Sequence, residues 1–264
     1  MPVSIICLGD VVGEPGRKAL RERLSVLKQR HAADLAIVNG ENVAGGLGID
    51  VKTAEDLYSF GADILTLGDH TWHKKEFRAF LDSNQERCIR PANYPEGAPG
   101  RGWTIAKTRA GVEIGVINLI GRVFFNTPLD CPFRKAEALL DAELANVKVR
   151  CIDLHAEATS EKMAMGFYLD GRSSCVFGTH THVQTADETI LAGGTAYISD
   201  LGMCGSLDSV IGMDHQSALS RFLGGLPLNY RIGVGRRVLS GIAVTVDSTT
   251  GKALRIERIR EILE

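Results

Sequence analysis

Residues 173–182, "SSCVFGTHTH", join an apolar run to two histidines that are separated by one residue. The run has the length and composition of a buried β-strand. In an extended segment residues i and i+2 lie on the same face, so this pattern places His180 and His182 together. Two imidazoles at that spacing suit one metal ion or a close pair of ions, but an exposed loop with two incidental histidines is an equally good interpretation. The rest of the chain has to distinguish the two.

The composition is that of an ordinary globular protein without a broad basic surface, and the length is within the range of a single α/β unit. The chain has 264 residues, 44% of them hydrophobic and 23% charged, and a net charge of −2. This balance disfavours binding to duplex nucleic acid, although a compact phosphate-binding site needs only a few donors or metal ions. No apolar run approaches the roughly 18–20 residues of a membrane helix, and the N-terminal segment resembles an opening strand rather than a signal peptide. We therefore expect no membrane partner.

The six cysteines are scattered along the chain and form no C-x-x-C pair. Several of them lie in apolar, strand-like runs. Buried free thiols in a reducing cytoplasm explain this distribution better than a disulfide framework or a zinc–cysteine site. The sequence therefore predicts a cytoplasmic protein without disulfides.

The first half of the chain alternates apolar runs with helical patterns. The runs 3–8, 34–39 and 62–68 are typical of buried strands. Between the first two, Leu20, Leu24 and Leu27 recur at the spacing of an amphipathic helix. This β-α-β-α-β rhythm predicts a doubly wound parallel sheet.

The second half adds hairpins to this pattern. Residues 102–121 and 236–261 each contain two alternating apolar segments around a glycine-containing turn, which predicts two antiparallel hairpins. The glycine-rich run 200–217, which contains Asp200 and His215, could fold over a site or simply connect two elements. We find no repeat, low-complexity segment or linker, so we expect one domain over residues 1–264, built from a mixed sheet system flanked by helices.

Polar side chains that can bind metals or phosphate follow five of the predicted strands. In α/β sheets, ligands gather at the carboxyl ends of the strands. Two neighbouring divalent ions need a bridging carboxylate together with imidazoles and oxygen ligands, and such a site can bind water as hydroxide and hold a phosphoryl oxygen. The joint pattern therefore predicts a metal site that is formed by these residues: Asp10, Glu41, Asn42, Asp69, His70, His155, His180 and His182.

The order of these residues resembles that of the calcineurin-like metallophosphoesterases. More narrowly, the chain resembles the YmdB-like branch of bacterial 2′,3′-cyclic-nucleotide phosphodiesterases, over residues 3 to about 260. The resemblance implies an α/β fold, a four-layer α/β/β/α sandwich of the metallophosphoesterase type. The motifs that carry it are "GDVVGEPGR", "NGENVAGGLGI", "GDHTW", "CPF", "DLHAEATSEK", "GTHTHVQTADE" and "DSVIGM".

The same resemblance implies a role for each candidate residue. Glu41 bridges two metals. Asp10 and His182 complete the protein ligands of one metal, and Asp69, His155 and His180 complete those of the other. Asn42 contacts the phosphate or a metal-bound water. His70 lies outside the metal ligands and protonates the leaving oxygen or stabilises charge on the phosphoryl group.

Two positions depart from the broader superfamily. Val12 stands where the usual Asp-x-His opening has a histidine, as it also does in the YmdB-like branch, so one metal loses an imidazole. Asp69 stands where the family normally has asparagine. Its extra negative charge predicts tighter metal binding, weaker Lewis acidity and repulsion of an anionic substrate.

The predicted function is therefore a dinuclear metal-dependent phosphodiesterase, in which a metal-bound hydroxide attacks phosphorus. The resemblance points to 2′,3′-cyclic nucleotides as substrates, and also to short RNA or general phosphodiesters. It further points to iron or manganese ahead of zinc or cobalt, and to a homo-oligomer. Two alternatives stay open. One is a nucleotide phosphomonoesterase, and the other is a metal-holding regulatory or binding protein with little turnover, which Asp69 favours.

Overall fold

A computed structural model describes residues 1–225 and 231–264 of the chain. Over these residues the chain forms fourteen strands and six helices. The strands are β1 (Pro2–Leu8), β2 (Asp10–Val11), β3 (Leu35–Asn39), β4 (Ile64–Thr66), β5 (Cys88–Ile89), β6 (Trp103–Lys107), β7 (Glu113–Ile120), β8 (Val149–His155), β9 (Cys175–Thr179), β10 (Thr189–Ile190), β11 (Ala196–Ile198), β12 (Met203–Ser206), β13 (Arg237–Asp247) and β14 (Ala253–Leu263). The helices are α1 (Gly13–Arg30), α2 (Val51–Ser59), α3 (Phe77–Ser83), α4 (Pro132–Asp141), α5 (Thr159–Tyr168) and α6 (His215–Gly224).

The strands form two sheets. The first has eight strands in the order β2-β12-β13-β1-β3-β4-β5, with β14 paired to β13. The second has six strands in the order β10-β11-β9-β8-β7-β6. In the first sheet β1, β3, β4 and β5 are parallel, and in the second β7, β8, β9 and β11 are parallel. Each sheet therefore directs the carboxyl ends of its central strands to one edge.

The two sheets pack face to face between two layers of helices. Side chains alternate along β1, so Val3, Ile5 and Cys7 lie in the core between the sheets, while Ile6 and Leu8 pack beneath the helices. Helices α1, α2 and α3 cover the first sheet, and α4 and α5 cover the second. This arrangement confirms the four-layer α/β/β/α fold.

The prediction of one doubly wound sheet was wrong. The first three helices all pack on the same face of the first sheet, and the other face is covered by the second sheet. The β-α-β rhythm reports that helices alternate with strands, but it does not report which face each helix covers. The β6–β7 pair begins the second sheet, and both predicted hairpins, β6–β7 and β13–β14, are confirmed as antiparallel pairs.

The glycine-rich run 200–217 is more ordered than either sequence interpretation. It contains β12 and the first turn of α6. Strand β12 has four residues and is held by long-range pairing to β2 and β13, which no local pattern reveals. Within the described residues, no helix is both long enough and apolar enough to cross a membrane. All six cysteines are free, as predicted.

Candidate metal centre

The structure brings all eight predicted side chains to one edge of the two sheets. Strands β1, β3 and β4 of the first sheet are followed by the carboxylates and by Asn42 and His70. Strands β8 and β9 of the second sheet end in or precede the other three histidines. The centre is therefore built across both sheets.

Four of these side chains converge most closely. One donor atom from each of Glu41, Asp69, His155 and His180 lies within 4.8 Å of all the others. Nε2 of His155 is 3.1 Å from Oδ1 of Asp69, 3.3 Å from Oε1 of Glu41 and 3.0 Å from Nδ1 of His180. Two carboxylates and two imidazoles at these separations form a donor set that suits a divalent transition metal.

Asp10 and His182 form a second, neighbouring group. Oδ1 of Asp10 lies 3.8 Å from Nε2 of His182. Asp10 is fully buried, and its Oδ2 accepts the backbone N–H of His180, whereas Oδ1 has no hydrogen-bond partner among the described residues. A buried carboxylate oxygen without a donor is costly, and a bound cation would satisfy it. The residues present therefore fit a second metal.

Hydrogen bonds orient two of the imidazoles toward the centre. Nδ1 of His182 is 2.8 Å from the carbonyl oxygen of Ile211, which can only accept, so Nε2 carries the lone pair and accepts from the amide of Asn42 at 3.2 Å. Nδ1 of His155 is 2.9 Å from Oγ1 of Thr179, and that hydroxyl donates to Asp153 at 2.8 Å. Nε2 of His155 is therefore also left for the metal, since its other nitrogen donates to Thr179.

The charge of the centre is dominated by carboxylates. Burial raises the pKa of Asp10. Burial also acts to lower the pKa of His155, but the charge of Glu41 and the hydrogen bond to Asp69 outweigh it and raise that pKa well above its ordinary value. Burial and the neighbouring His155 lower the pKa of His180 to about 4. The carboxylates thus attract positive charge to the centre, and the His180 ring is neutral at pH 7, as metal binding requires.

Asn42 and His70 lie beside the four converging donors. The amide of Asn42 donates to Oε1 of Glu41 at 3.0 Å, and its oxygen is 2.7 Å from Nδ1 of His70. Burial acts to lower the pKa of His70, but the hydrogen bond and charge of Glu41 outweigh it and raise the pKa. The His70 side chain is 24% exposed and lines a cavity of about 480 Å³ together with Glu41 and His180. A protonated His70 can therefore donate to a ligand in this cavity.

Gly68 leaves the space that the centre occupies. A Cβ at this position would lie 2.2 Å from Oε2 of Glu41 and 2.4 Å from Nε2 of His155. Because both neighbours are candidate ligands, any larger residue would displace them. This is the one glycine of "GDHTW" and it directly precedes Asp69.

The extended conformation expected for His180 and His182 was wrong. Strand β9 ends at Thr179, and the two histidines adopt φ angles of +99° and +66°. The turn between them is braced by Asp200, which accepts the backbone N–H and the hydroxyl of Thr181 and pairs with Lys162 at 2.7 Å. The two rings consequently face different neighbours, His155 for one and Asp10 for the other.

Sequence reasoning missed the groups that position these ligands. Asp153 and Thr179 precede His155 and His180 by two residues and one residue, so a search for hydroxyl and carboxylate groups near each candidate ligand would have found them. Lys162 and the carbonyl of Ile211 carry no such local signal. Val12 is buried in an apolar cluster with Met203 and Val238, so no imidazole is offered from that position.

Comparisons with known proteins identify the family of this chain. The family model for YmdB-like proteins matches residues 6–259. A 2′,3′-cyclic-nucleotide 2′-phosphodiesterase of Bacillus subtilis (strain 168) is 48% identical over 257 residues, which cover 97% of this chain and 96% of the relative.

Solved structures agree in fold. A structure described as a novel phosphatase from Mycoplasma pneumoniae superposes with a TM-score of 0.92 at 33% identity and covers 100% of this chain and 95% of its own. A Staphylococcus aureus structure related to 5′-nucleotidases has a TM-score of 0.63 at 13% identity, covering 100% of this chain and 54% of its own, and supports the fold alone. Since the family model spans nearly the whole chain, the chain belongs to the family of YmdB-like proteins.

Proposed function

We propose that this protein is a metal-dependent phosphodiesterase that hydrolyses 2′,3′-cyclic nucleotides. The observation that carries the proposal is the convergence of donor atoms from Glu41, Asp69, His155 and His180 within 4.8 Å, beside the pair Asp10 and His182. The name of the 48% identical Bacillus subtilis relative supports the substrate class. The shared core between the two sheets supports a single domain over residues 1–264.

The six candidate metal ligands form two sets that share Glu41. Asp69, His155 and His180 would hold one ion with Glu41, and Asp10 and His182 would hold the other with the same carboxylate. Oε1 of Glu41 lies 3.3 Å from Nε2 of His155 in the first set. The amide nitrogen of Asn42 lies 3.0 Å from the same Oε1 and 3.2 Å from Nε2 of His182 in the second set, which supports the place of Glu41 between them. Bound there, two divalent ions would supply Lewis acidity toward a phosphoryl group and lower the pKa of water.

The side chains of Asn42 and His70 act on the substrate. Both line the cavity. Asn42 orients His70 through the 2.7 Å hydrogen bond and contacts a phosphoryl oxygen. His70 gives a proton to the ester oxygen that leaves phosphorus, for which its raised pKa is suited.

The mixed imidazole and carboxylate donors suit several first-row metals, because such ligands do not select strongly among them. We propose iron or manganese ahead of zinc or cobalt. We also propose a cytoplasmic location, which the six free thiols support. A homo-oligomer is supported by the exposed apolar side chains Leu219, Phe222 and Leu223 on α6. Short RNA that ends in a cyclic phosphate is a further substrate to test.

One observation favours the competing function of a metal-holding protein with little turnover. The centre already contains the carboxylates of Asp10 and Glu41. Asp69 adds a third carboxylate, whose Oδ1 lies 3.1 Å from Nε2 of His155. The added charge would tighten metal binding and oppose an anionic substrate.

One experiment separates these functions. Metal content per chain and hydrolysis of 2′,3′-cyclic AMP are measured for metal-loaded wild type, His70→Ala and the matched variant His31→Ala. His31 is a suitable control because it lies far from the centre. Helix α1 starts beside Asn42, has 18 residues and is about 27 Å long, and His31 follows its last residue. We expect two metals per chain in all three proteins and turnover that falls about 10²- to 10⁴-fold in His70→Ala alone.

Three other outcomes would contradict the proposed function or the dinuclear centre. Two metals without turnover on the cyclic nucleotide or on 5′-AMP would favour the metal-holding protein. Turnover of 5′-AMP alone would favour a phosphomonoesterase. Less than one metal per chain after loading would contradict the dinuclear centre itself.

A further inference from the structure

A loop with two consecutive phenylalanines begins next to the candidate metal centre. It follows β7 and covers residues 121–130. The backbone N–H of Gly121, its first residue, donates to the carbonyl oxygen of His155 at 2.9 Å. The loop is therefore tied at its start to one of the candidate ligands.

A buried carboxylate holds the next residues of this loop. Oε1 of Glu161 accepts the backbone N–H of Arg122 at 3.0 Å, and Oε2 accepts that of Val123 at 3.2 Å. Glu161 lies in the first turn of α5 and is buried. Charge-assisted hydrogen bonds to a buried carboxylate are strong, so the two phenylalanines extend from a fixed base.

Phe125 contacts the centre directly. Its ring centroid lies 5.1 Å from that of His180, with the planes inclined at 51°. Covering a metal ligand with an apolar ring is one role that this contact could have. That role of Phe125 would not explain the position of the preceding residue, Phe124.

Phe124 is exposed and conformationally strained. Its side chain is 81% exposed and its φ angle is +69°. A bulky residue in the left-handed region is strained, and such strain concentrates at functional sites. The exposed ring of Phe124 lies next in the chain to the ring of Phe125, which packs on His180, and it has a face available for a flat ligand.

We propose that Phe124 and Phe125 form a platform on which the base of the nucleotide substrate stacks. This inference rests on the proposed function, because it uses a phosphoryl group held beside His180. The base of a 2′,3′-cyclic nucleotide is one ribose away from the cyclic phosphate. Stacking on aromatic rings tolerates any base, since every base has a π-face. The pair would thus select nucleotides over other phosphodiesters without selecting among bases.

The test compares a substrate with a base and one without. Hydrolysis of 2′,3′-cyclic AMP and of methyl ribofuranoside 2′,3′-cyclic phosphate is measured for wild type, Phe124→Ala, Phe125→Ala and Phe125→Leu. Phe167→Ala is the matched control, because Phe167 is 66% exposed but lies about 12 Å along α5 from the helix start that faces the centre. Metal content is measured in every variant, and Phe125→Leu retains apolar cover over His180.

Phe124→Ala should lower kcat/KM for 2′,3′-cyclic AMP about tenfold, mainly through KM, and leave the base-free substrate and the metal content unchanged. Phe125→Ala should lower kcat/KM for 2′,3′-cyclic AMP by at least as much. Phe125→Leu should share the loss, and Phe167→Ala should not. Equal losses on both substrates, or no loss on either, would overturn the platform. If wild type hydrolyses neither substrate, the proposed function fails. Calorimetric titration of wild type and Phe124→Ala with 2′,3′-cyclic AMP then tests the platform separately. Unchanged affinity in Phe124→Ala would reject the platform, and weaker affinity would support it.

Discussion

Oδ1 of Asp69 lies 3.1 Å from Nε2 of His155, although the two residues are 86 positions apart in the chain. This contact places the carboxylate that departs from the family pattern inside the candidate metal centre. Asp69 also lies next to Glu41. Burial and the charge of Glu41 act to raise the pKa of Asp69, whereas the hydrogen bond to His155 lowers it. Burial opposes the charged form, yet the pKa of Asp69 falls below its ordinary value, so the residue is ionised at pH 7.

Replacing Asp69 with asparagine should weaken metal binding and increase turnover. Asparagine keeps an oxygen at the same position and removes one negative charge from the site of an anionic substrate. We expect kcat on 2′,3′-cyclic AMP at saturating Mn²⁺ to rise roughly tenfold, which corresponds to the ~1–2 kcal/mol of one partly screened charge. Asp141→Asn, at an exposed partner of Arg172, serves as the control. A fall in kcat for Asp69→Asn would contradict this prediction.

Removal of the Thr179 hydroxyl should loosen the metal without unfolding the protein. Thr179 links Asp153 to Nδ1 of His155, so Thr179→Val frees the imidazole to rotate or change tautomer. We expect metal affinity to fall about 10- to 100-fold in a competition titration with a chelator. In the control Thr104→Val, a similarly buried hydroxyl loses its bond to the carbonyl of Glu86. Equal affinities in the two variants would rule out the positioning role.

Breaking the Lys162–Asp200 pair should destabilise the whole protein. Both side chains are buried, and the pair holds the turn that carries His180 and His182. Lys162→Met leaves Asp200 buried without a counter-charge, which costs roughly 3–5 kcal/mol of the free energy of unfolding. Lys107→Met, at an exposed pair with Glu113, should change it by less than about 1 kcal/mol. Urea unfolding of both variants measures the difference, and comparable losses would refute it.

Replacing Gly68 with alanine should abolish metal binding. The new Cβ would lie 2.2 Å from Oε2 of Glu41, so the ligands would have to separate. We expect less than about a tenth of the wild-type metal content, because a displaced ligand set loses its geometry. Gly224→Ala is the control, since a Cβ there meets nothing within 4 Å. Wild-type metal content in Gly68→Ala would show that the centre adapts.

The contribution of Asp153 to the stability of the metal-free protein should fall as pH rises toward neutrality. Burial raises the pKa of Asp153 from its ordinary 3.8 to about 7. Between these two values the carboxyl group of Asp153 keeps a proton in the folded protein that it releases in the unfolded chain, so the stability that this group contributes at pH 4 is lost as pH rises to about 7, and its contribution is level above that pH.

Urea unfolding of wild type and Asp153→Asn in EDTA at pH 5, 6, 7 and 8 measures this contribution as the difference between the two proteins. We expect Asp153 to contribute up to about 1.4 kcal/mol per pH unit below pH 7. Asp153→Asn should therefore lose less stability than wild type between pH 5 and 7. Parallel curves for the two proteins would exclude Asp153 as the titrating group.

Much of the fold was predictable because it depends on local patterns. Apolar runs predicted the central strands, and the spacing of Leu20, Leu24 and Leu27 predicted α1, whose buried face they form. The face that each helix covers was not predictable, because either face of a sheet satisfies the same rhythm. Strand β12 was also missed, since its pairing with β2 and β13 comes from distant segments.

The sequence by itself determined which side chains the centre can use. Carboxylates and imidazoles placed directly after buried strands must reach the same edge, because parallel strands share a direction. Only the tertiary structure decided which donor faces which, as in the separation of His180 from His182 by a left-handed turn. It alone brought Lys162 beneath that turn and Phe125 against His180. These contacts join residues far apart in the chain, and their energy comes from burial and charge pairing that no local pattern encodes.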